Sequence, residues 1–199
     1  GLVACLLNRY QNYDVATLPE FPQSRGSIVP DTLRHRSVVT AETWLRGPTF
    51  SPVCFPPFTL LLLEQGQGVL LDWTGEGTLK RTELDTPWAM ISSSFFDPDH
   101  VLSWRKAAFA AWRDGDAAYR RGVPEFHLYQ PKGLETVAPL MARDISCTRS
   151  ITQIRVTTTP QAIHLQHGPV NDGEIDWTLF EHHWVLPRRS VEGYSSDAR

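Results

Sequence analysis

Phe58-Thr59-Leu60-Leu61-Leu62-Leu63-Glu64, followed by Gln65-Gly66-Gln67-Gly68 and then Val69-Leu70-Leu71-Asp72-Trp73, is the stretch that decides the fold. Two apolar runs of strand length flank a glycine-rich separator, which is the pattern of a β-hairpin. A second separator, Thr74-Gly75-Glu76-Gly77, leads to a third strand over Thr78–Leu84, and Trp88–Ser92 reads as a short fourth. Clustered strands with interspersed helices indicate α+β layers, not alternating βαβ units.

Upstream, Pro48, Pro52, Pro56 and Pro57 separate this hairpin from two helical stretches, Pro30 to Arg36 and Thr40 to Arg46. Thr40 reads as a helix cap, with Glu42 placed to favour the helix dipole. Residues 11–25 read as a long surface loop. The opening run, Gly1-Leu2-Val3-Ala4-Cys5-Leu6-Leu7-Asn8-Arg9-Tyr10, reads as a buried strand over Leu2–Leu7. Such a strand needs a neighbour for its backbone donors and acceptors, so a natural segment is expected ahead of Gly1. A chain made without that segment would carry an exposed sheet edge, which predicts a homodimer or poor solubility.

Downstream, Asp97-Pro98-Asp99 is a strong helix start, with an Asp cap, Pro in the first position and a second acid in the first turn. Val101, Leu102, Trp104, Ala108, Phe109 and Trp112 then recur at helical spacing, and Asp114-Gly115-Asp116 ends the run. The 116–134 stretch is polar and irregular, and periodicity leaves Val137–Arg143 open between strand and helix. Ile151–Thr157, Ala162–Gln166 and Asp176–Val185 form a final meander. One domain is expected over residues 1–187, with 188–199 as a tail.

A chain of 199 residues can bury a real core. A net charge of −3 supplies no general attraction to nucleic acid or to an anionic membrane. The longest apolar run is too short to span a bilayer, so no stable membrane insertion is expected. Cys5, Cys54 and Cys147 are widely spaced and form no Cys-x-x-Cys pair, which favours a reducing, cytoplasmic setting over a secreted one. Cys5 reads as a small buried hydrophobe. Cys147 lies beside Arg149, which would favour its thiolate, but its plain reading is also structural. His164 and His167 stand three apart in a strand, on opposite faces, and cannot hold one ion; His182 and His183 are adjacent, with the same result. No metal site and no cofactor are expected. Ser92-Ser93-Ser94 lacks the glycines of a nucleophile elbow. Residue chemistry alone therefore describes an α+β domain without an assigned activity.

Several segments, in order, resemble the NRDE family, also called the transport and Golgi organization family. Gly1–Tyr10 resembles its "GxxAxLTNYR" strand, and Ser24-Arg25-Gly26 with Leu33 its "SRG…L" helix entry. Phe55-Pro56-Pro57-Phe58-Thr59-Leu60-Leu61 resembles its "YxPFNLL" strand. Leu84-Asp85-Thr86-Pro87-Trp88 and Ser92-Ser93-Ser94 resemble its "LSN" segment, although the family's "DTPW" follows that segment. Thr148-Arg149-Ser150-Ile151-Thr152 resembles its "GTRSxT" strand. The shared order, over roughly residues 1–185, carries the resemblance more than any single motif. The Asn-Arg-Asp-Glu signature and the cysteine that follows the initiator Met would lie upstream of Gly1.

The resemblance implies a four-layer αββα sandwich of two antiparallel sheets, similar to the N-terminal-nucleophile hydrolases. Their first residue is nucleophile through its side chain and base through its α-amine. It further implies that Asn8 helps form an oxyanion hole. Ser93 stands where a second Asn is usual, and a rotatable hydroxyl is a less preorganised donor than an amide. Arg149 matches an Arg near the nucleophile, placed to position the thiolate or a substrate carboxylate. Asn8 also reads as a strand-end cap, and Arg149 as a partner for Asp144. The implied activity is hydrolysis or acyl transfer at a non-peptide amide of a small molecule, with the nucleophilic Cys upstream and this chain inactive alone. The alternative is a non-catalytic ligand-binding or trafficking protein on the same fold, handling haem or lipid, with His127, His167 or His182 as haem ligands. An exposed aromatic patch would instead favour a scaffold role.

Overall fold

A computed structural model describes residues 1–10, 20–64, 66–115, 123–158, 161–171, 174–175 and 184–187. These form a mixed α+β structure with antiparallel sheets and a few helices. The chain divides into two compact units, Gly1–Phe109 and Ala110–Arg199.

In the first unit, β1 (Val3–Asn8), β2 (Phe58–Glu64), β3 (Gln67–Trp73) and β4 (Lys80–Leu84) form one antiparallel sheet in the order β1-β2-β3-β4. Glu64 pairs with Gln67, so Gln67 and Gly68 of the glycine-rich separator belong to β3. Gly66 takes φ 84°, a conformation that a side chain resists. Gly68 is needed for a different reason. A Cβ there would stand 3.0 Å from Cβ of Leu84 and 3.1 Å from Cδ2 of Leu63, so the strand spacing depends on its absence.

Register assigns each side chain to a face. Ala4 and Leu6 of β1, Phe58, Leu60 and Leu62 of β2, and Val69, Leu71 and Trp73 of β3 stand opposite one another on one face. They pack with Ile28, Val38, Ala41, Leu45, Phe50 and Phe55 into the core, where Phe58, Leu60, Leu62 and Leu71 are fully buried. The helices are α1 (Ile28–Thr32) and α2 (Val38–Leu45). The other sheet face carries Cys5, Leu7, Leu61, Leu63 and Leu70, none of them fully buried. β1 and β4 are the outer strands among the described residues. Lys80, Arg81 and Glu83 charge the β4 edge, whereas β1 is apolar up to Asn8.

Helix α2 starts earlier than a Thr40 cap predicts. Ser37 is the cap, and Thr40 completes a capping box: Ser37 Oγ accepts from Thr40 N, and Thr40 Oγ1 accepts from Ser37 N, each at 3.2 Å. Glu64 Oε2 accepts from Val38 N at 2.9 Å, so the last residue of β2 also caps the helix. Helix α3 (Pro98–Asp114) follows Asp97 as the sequence predicts. Asp97 itself has φ 36°, so the cap sits in the left-handed region and carries backbone strain. Trp88–Ser92 is not a strand; it runs into a serine segment tied to α3.

The second unit holds α4 (Val123–His127), a small hairpin of β5 (Ala142–Arg143) and β6 (Ser146–Cys147), and an antiparallel sheet. That sheet runs β10-β8-β7, from β7 (Ser150–Thr158), β8 (Gln161–Asn171) and β10 (Trp184–Pro187), with β9 (Glu174–Ile175) on β8. The meander is thus present with a longer hairpin than predicted. Residues 131–141 are turns, which resolves Val137–Arg143 against both helix and long strand, with only its last two residues in β5. The predicted loop over 11–25 lies in part outside the described residues, as do most of Asp176–Val185 and all of the 188–199 tail. No helix among the described residues is long and apolar enough to cross a membrane.

Glu42 ties α2 to the sheet edge. Its carboxylate receives Arg46 Nε at 2.9 Å within the helix and Arg81 Nε at 3.0 Å from β4. Burial pushes the Glu42 pKa up, but the hydrogen bonds and charges of Arg81 and Arg46 outweigh this and hold it below the ordinary carboxylate value. A folded-state pKa below the unfolded one adds stability above the unfolded value, about 4.3, and loses it as pH falls through the folded value. Glu42→Gln is therefore expected to be less stable than the parent at pH 7. The gap should close as pH falls below about 4, as read by urea denaturation at each pH. A gap that persists unchanged at low pH would contradict the role of this charge.

Candidate functional site

The polar end of the first sheet is built where β1 runs out. The chain leaves the apolar face at Asn8, whose register partner is Phe58, the first residue of β2. Asn8 Nδ2 donates to Tyr10 Oη at 2.9 Å, which fixes the orientation of the amide. Arg9 N donates to Pro57 O at 3.1 Å, so β1 and the residue before β2 stay joined past the ladder.

Arg9 then reaches across the sheet. Its Nη1 meets Asp72 Oδ1 at 2.7 Å, and both side chains are mostly shielded from solvent, at 25% and 20% exposed. Thr59, directly opposite Asp72 in the β2–β3 register, donates from Oγ1 to the same Oδ1. Arg9 Nε is buried without a hydrogen-bond partner among the described residues. This leaves the pair held by one prong, whereas an Arg–carboxylate pair is commonly two-pronged.

Arg25 closes the other side. It follows the Ser24 cap of a 3-10 turn, Arg25–Ser27, in which Ser24 Oγ accepts from Gly26 N. Its Nη1 donates to Pro57 O at 2.8 Å, and its guanidinium carbon lies 6.0 Å from the Tyr10 ring centre, within cation–π range. The Phe95 ring meets Tyr10 edge-on, at 5.8 Å and 68°. Phe95 belongs to the serine segment. There Arg105 Nη1 donates to Ser92 Oγ at 2.8 Å and to Ser93 O at 3.4 Å, and Ser94 Oγ donates to Phe96 O at 2.6 Å.

Asn8 and the Ser92–Phe96 segment are therefore linked through Tyr10 and Phe95. Ser93 is held by its backbone carbonyl, not by its hydroxyl. Arg149 belongs to the second unit, at the residue before β7, where its carbonyl accepts from Val170 N at 2.7 Å. Its side chain is exposed, and no described acid pairs with it, so the Asp144 pairing is not formed.

The remaining candidates fall into place on chemistry. All three cysteines are free thiols. Burial pushes the Cys5 thiol pKa up, which keeps it protonated and a poor nucleophile. Among the described residues no group of three His, Cys, Asp or Glu side chains could hold a metal ion. His164 stands opposite Arg155 and His167 opposite Thr152, on different faces of β8, as their spacing predicts. His167 Nδ1 is 2.8 Å from Thr152 Oγ1, and His127 packs edge-on to Phe126 at 6.1 Å. His182 lies outside the described residues. Sequence reading quotes Tyr10 and Arg25 only within segments that carry the resemblance, with no role at a site, and does not single out Asp72. For Asp72 the signal was available: one acid interrupts the apolar run Val69–Trp73.

Removing Asp72 alone leaves a half-buried guanidinium and the Thr59 hydroxyl without their acceptor. Asp72→Ala is expected to cost about 1–3 kcal/mol, and the double change Arg9→Met with Asp72→Leu to recover part of it, because breaking one side of a shielded pair costs more than replacing both. Equilibrium denaturation checks this; a double variant less stable than Asp72→Ala would contradict it.

No protein-family model matches the chain, and no curated protein or solved structure is significantly similar to it.

Proposed function

We propose that this chain is an NRDE-family protein that carries the oxyanion half of an N-terminal-nucleophile hydrolase or acyltransferase acting on a non-peptide amide. The carrying observation is Asn8: an amide at the end of a sheet strand, with one of its N–H bonds fixed on Tyr10 Oη. The second N–H remains to meet an oxyanion, and an oriented amide donor is what such a step needs. In this reading the nucleophile is a cysteine upstream of Gly1. The α-amine takes the thiol proton, the thiolate attacks the amide carbonyl, negative charge grows on the carbonyl oxygen near Asn8, and the amine leaves with that proton. The acyl group stays on sulfur as a thioester until water, or an acceptor nucleophile in acyl transfer, takes it and the thiol is restored. Ser93 is a secondary donor in this reading.

The four-layer αββα sandwich belongs to the same reading. The first sheet has helices on one face and a second apolar face, with Leu61, Leu63 and Leu70, of the kind a facing sheet covers. Upstream strands would pair the outer edge of β1, and a chain lacking them offers that edge to a second copy.

The test is Asn8→Ala in the natural protein, followed on a panel of N-acyl-4-nitroanilides. The expected result is a drop in kcat of roughly 10²–10³-fold with little change in KM, the size typical of one lost oxyanion donor. Unchanged kcat in a folded Asn8→Ala protein would remove Asn8 from the mechanism.

A further inference from the structure

We propose that the ligand at the Asn8 end of the sheet is a small carboxylate bearing a flat apolar group, with the carboxylate on Arg25 and the flat group against Tyr10 and Phe95. This names a substrate class for the site and rests on the hydrolase reading given above. An amide that carries both a carboxylate and an aromatic group would fit it.

Charge comes first. Arg9 N and Arg25 Nη1 both donate to Pro57 O, and among the described residues Asp72 is bonded to the Arg9 guanidinium while no carboxylate is bonded to that of Arg25. One positive charge is left over, and it lies on Arg25, because Arg9 is spent on Asp72. Arg25 commits one N–H to Pro57 O, which leaves other donors of its planar fork for a carboxylate. A planar fork suits that group better than a point charge does.

Donor count agrees. Tyr10 Oη accepts from Asn8, so its own proton is available to donate outward. Arg25, Tyr10 and Asn8 together offer donors, and anionic oxygen is the chemistry that uses them.

Shape supplies the second half. The Tyr10 ring has Arg25 over its face and Phe95 against it edge-on. Phe95 is 40% exposed and its neighbour Phe96 is 52% exposed. Exposed aromatic surface beside a cation is suited to a ligand with a ring at one end and an anion at the other.

The experiment compares 3-phenylpropionate with its neutral isostere 3-phenylpropanamide, by titration calorimetry and saturation-transfer NMR on the 199-residue chain. The acid is expected to bind at least roughly tenfold more tightly than the amide, as a charge-assisted contact requires. Arg25→Gln should abolish that preference, whereas Arg34→Gln, an exposed site with the same charge change, should keep it. Phe95→Ala should weaken acid and amide alike. Equal affinities, no binding of either probe, or a preference that survives Arg25→Gln overturns the proposal. Should Arg25→Gln fail to fold, Arg25→Lys takes its place and is expected to reduce the preference without removing it; a full preference in Arg25→Lys overturns the role of the fork. Recovery of 3-phenylpropanamide unchanged after the titration shows that the comparison reads binding and not catalysis. Loss of the acid preference with the Asn8→Ala effect intact removes the substrate class alone, and the reverse outcome removes the hydrolase reading alone.

Discussion

The burial of Phe58, Leu60 and Leu62 against α1 and α2 is the constraint on which the rest of the first unit depends. All three side chains are fully buried on one face of β2, the strand paired on both sides. A slip of one residue would turn Thr59, Leu61 and Leu63 inward and place a hydroxyl in the core. Because the register is fixed, Asn8 must stand opposite Phe58, and Asp72 must stand opposite Thr59. The polar cluster is thus positioned by apolar packing two residues away, not by the polar contacts themselves.

Those polar contacts then set the chemistry. Arg9 neutralises Asp72, and the cost is a buried Nε without a partner. Tyr10 is drawn into the cluster from three directions, by Asn8, Arg25 and Phe95. In the proposed function, an amide held in this way would lose little freedom as charge develops beside it, which is the advantage of a preorganised donor over a solvent-exposed one. Strain sits nearby, at Asp97, where the serine segment turns into α3.

Local signals made part of this legible. β2 was bounded at the same residues by its apolar run, and α3 by its Asp-Pro start, because both depend on neighbours in sequence. The Ser37 cap was missed in favour of Thr40, since the two residues share one capping box and only backbone geometry separates their roles. Trp88–Ser92 has strand-like composition but joins no ladder of described strands, and strand formation depends on a partner that sequence does not name. At the site, Asn8 and Ser93 entered through a resemblance of ordered segments. Arg9 with Asp72 is a contact across 63 residues, and Arg25 with Pro57 one across 32, so neither leaves a local trace.

The central claim is that Asn8 serves a nucleophile that lies upstream of Gly1. The most direct measurement is the intact mass and N-terminal sequence of the protein purified from its natural source. The account predicts an N-terminal cysteine, followed by an Asn-Arg-Asp-Glu segment and then the Gly1–Tyr10 strand. A mature protein whose first residue is Gly1, or any residue without a nucleophilic side chain, would contradict it.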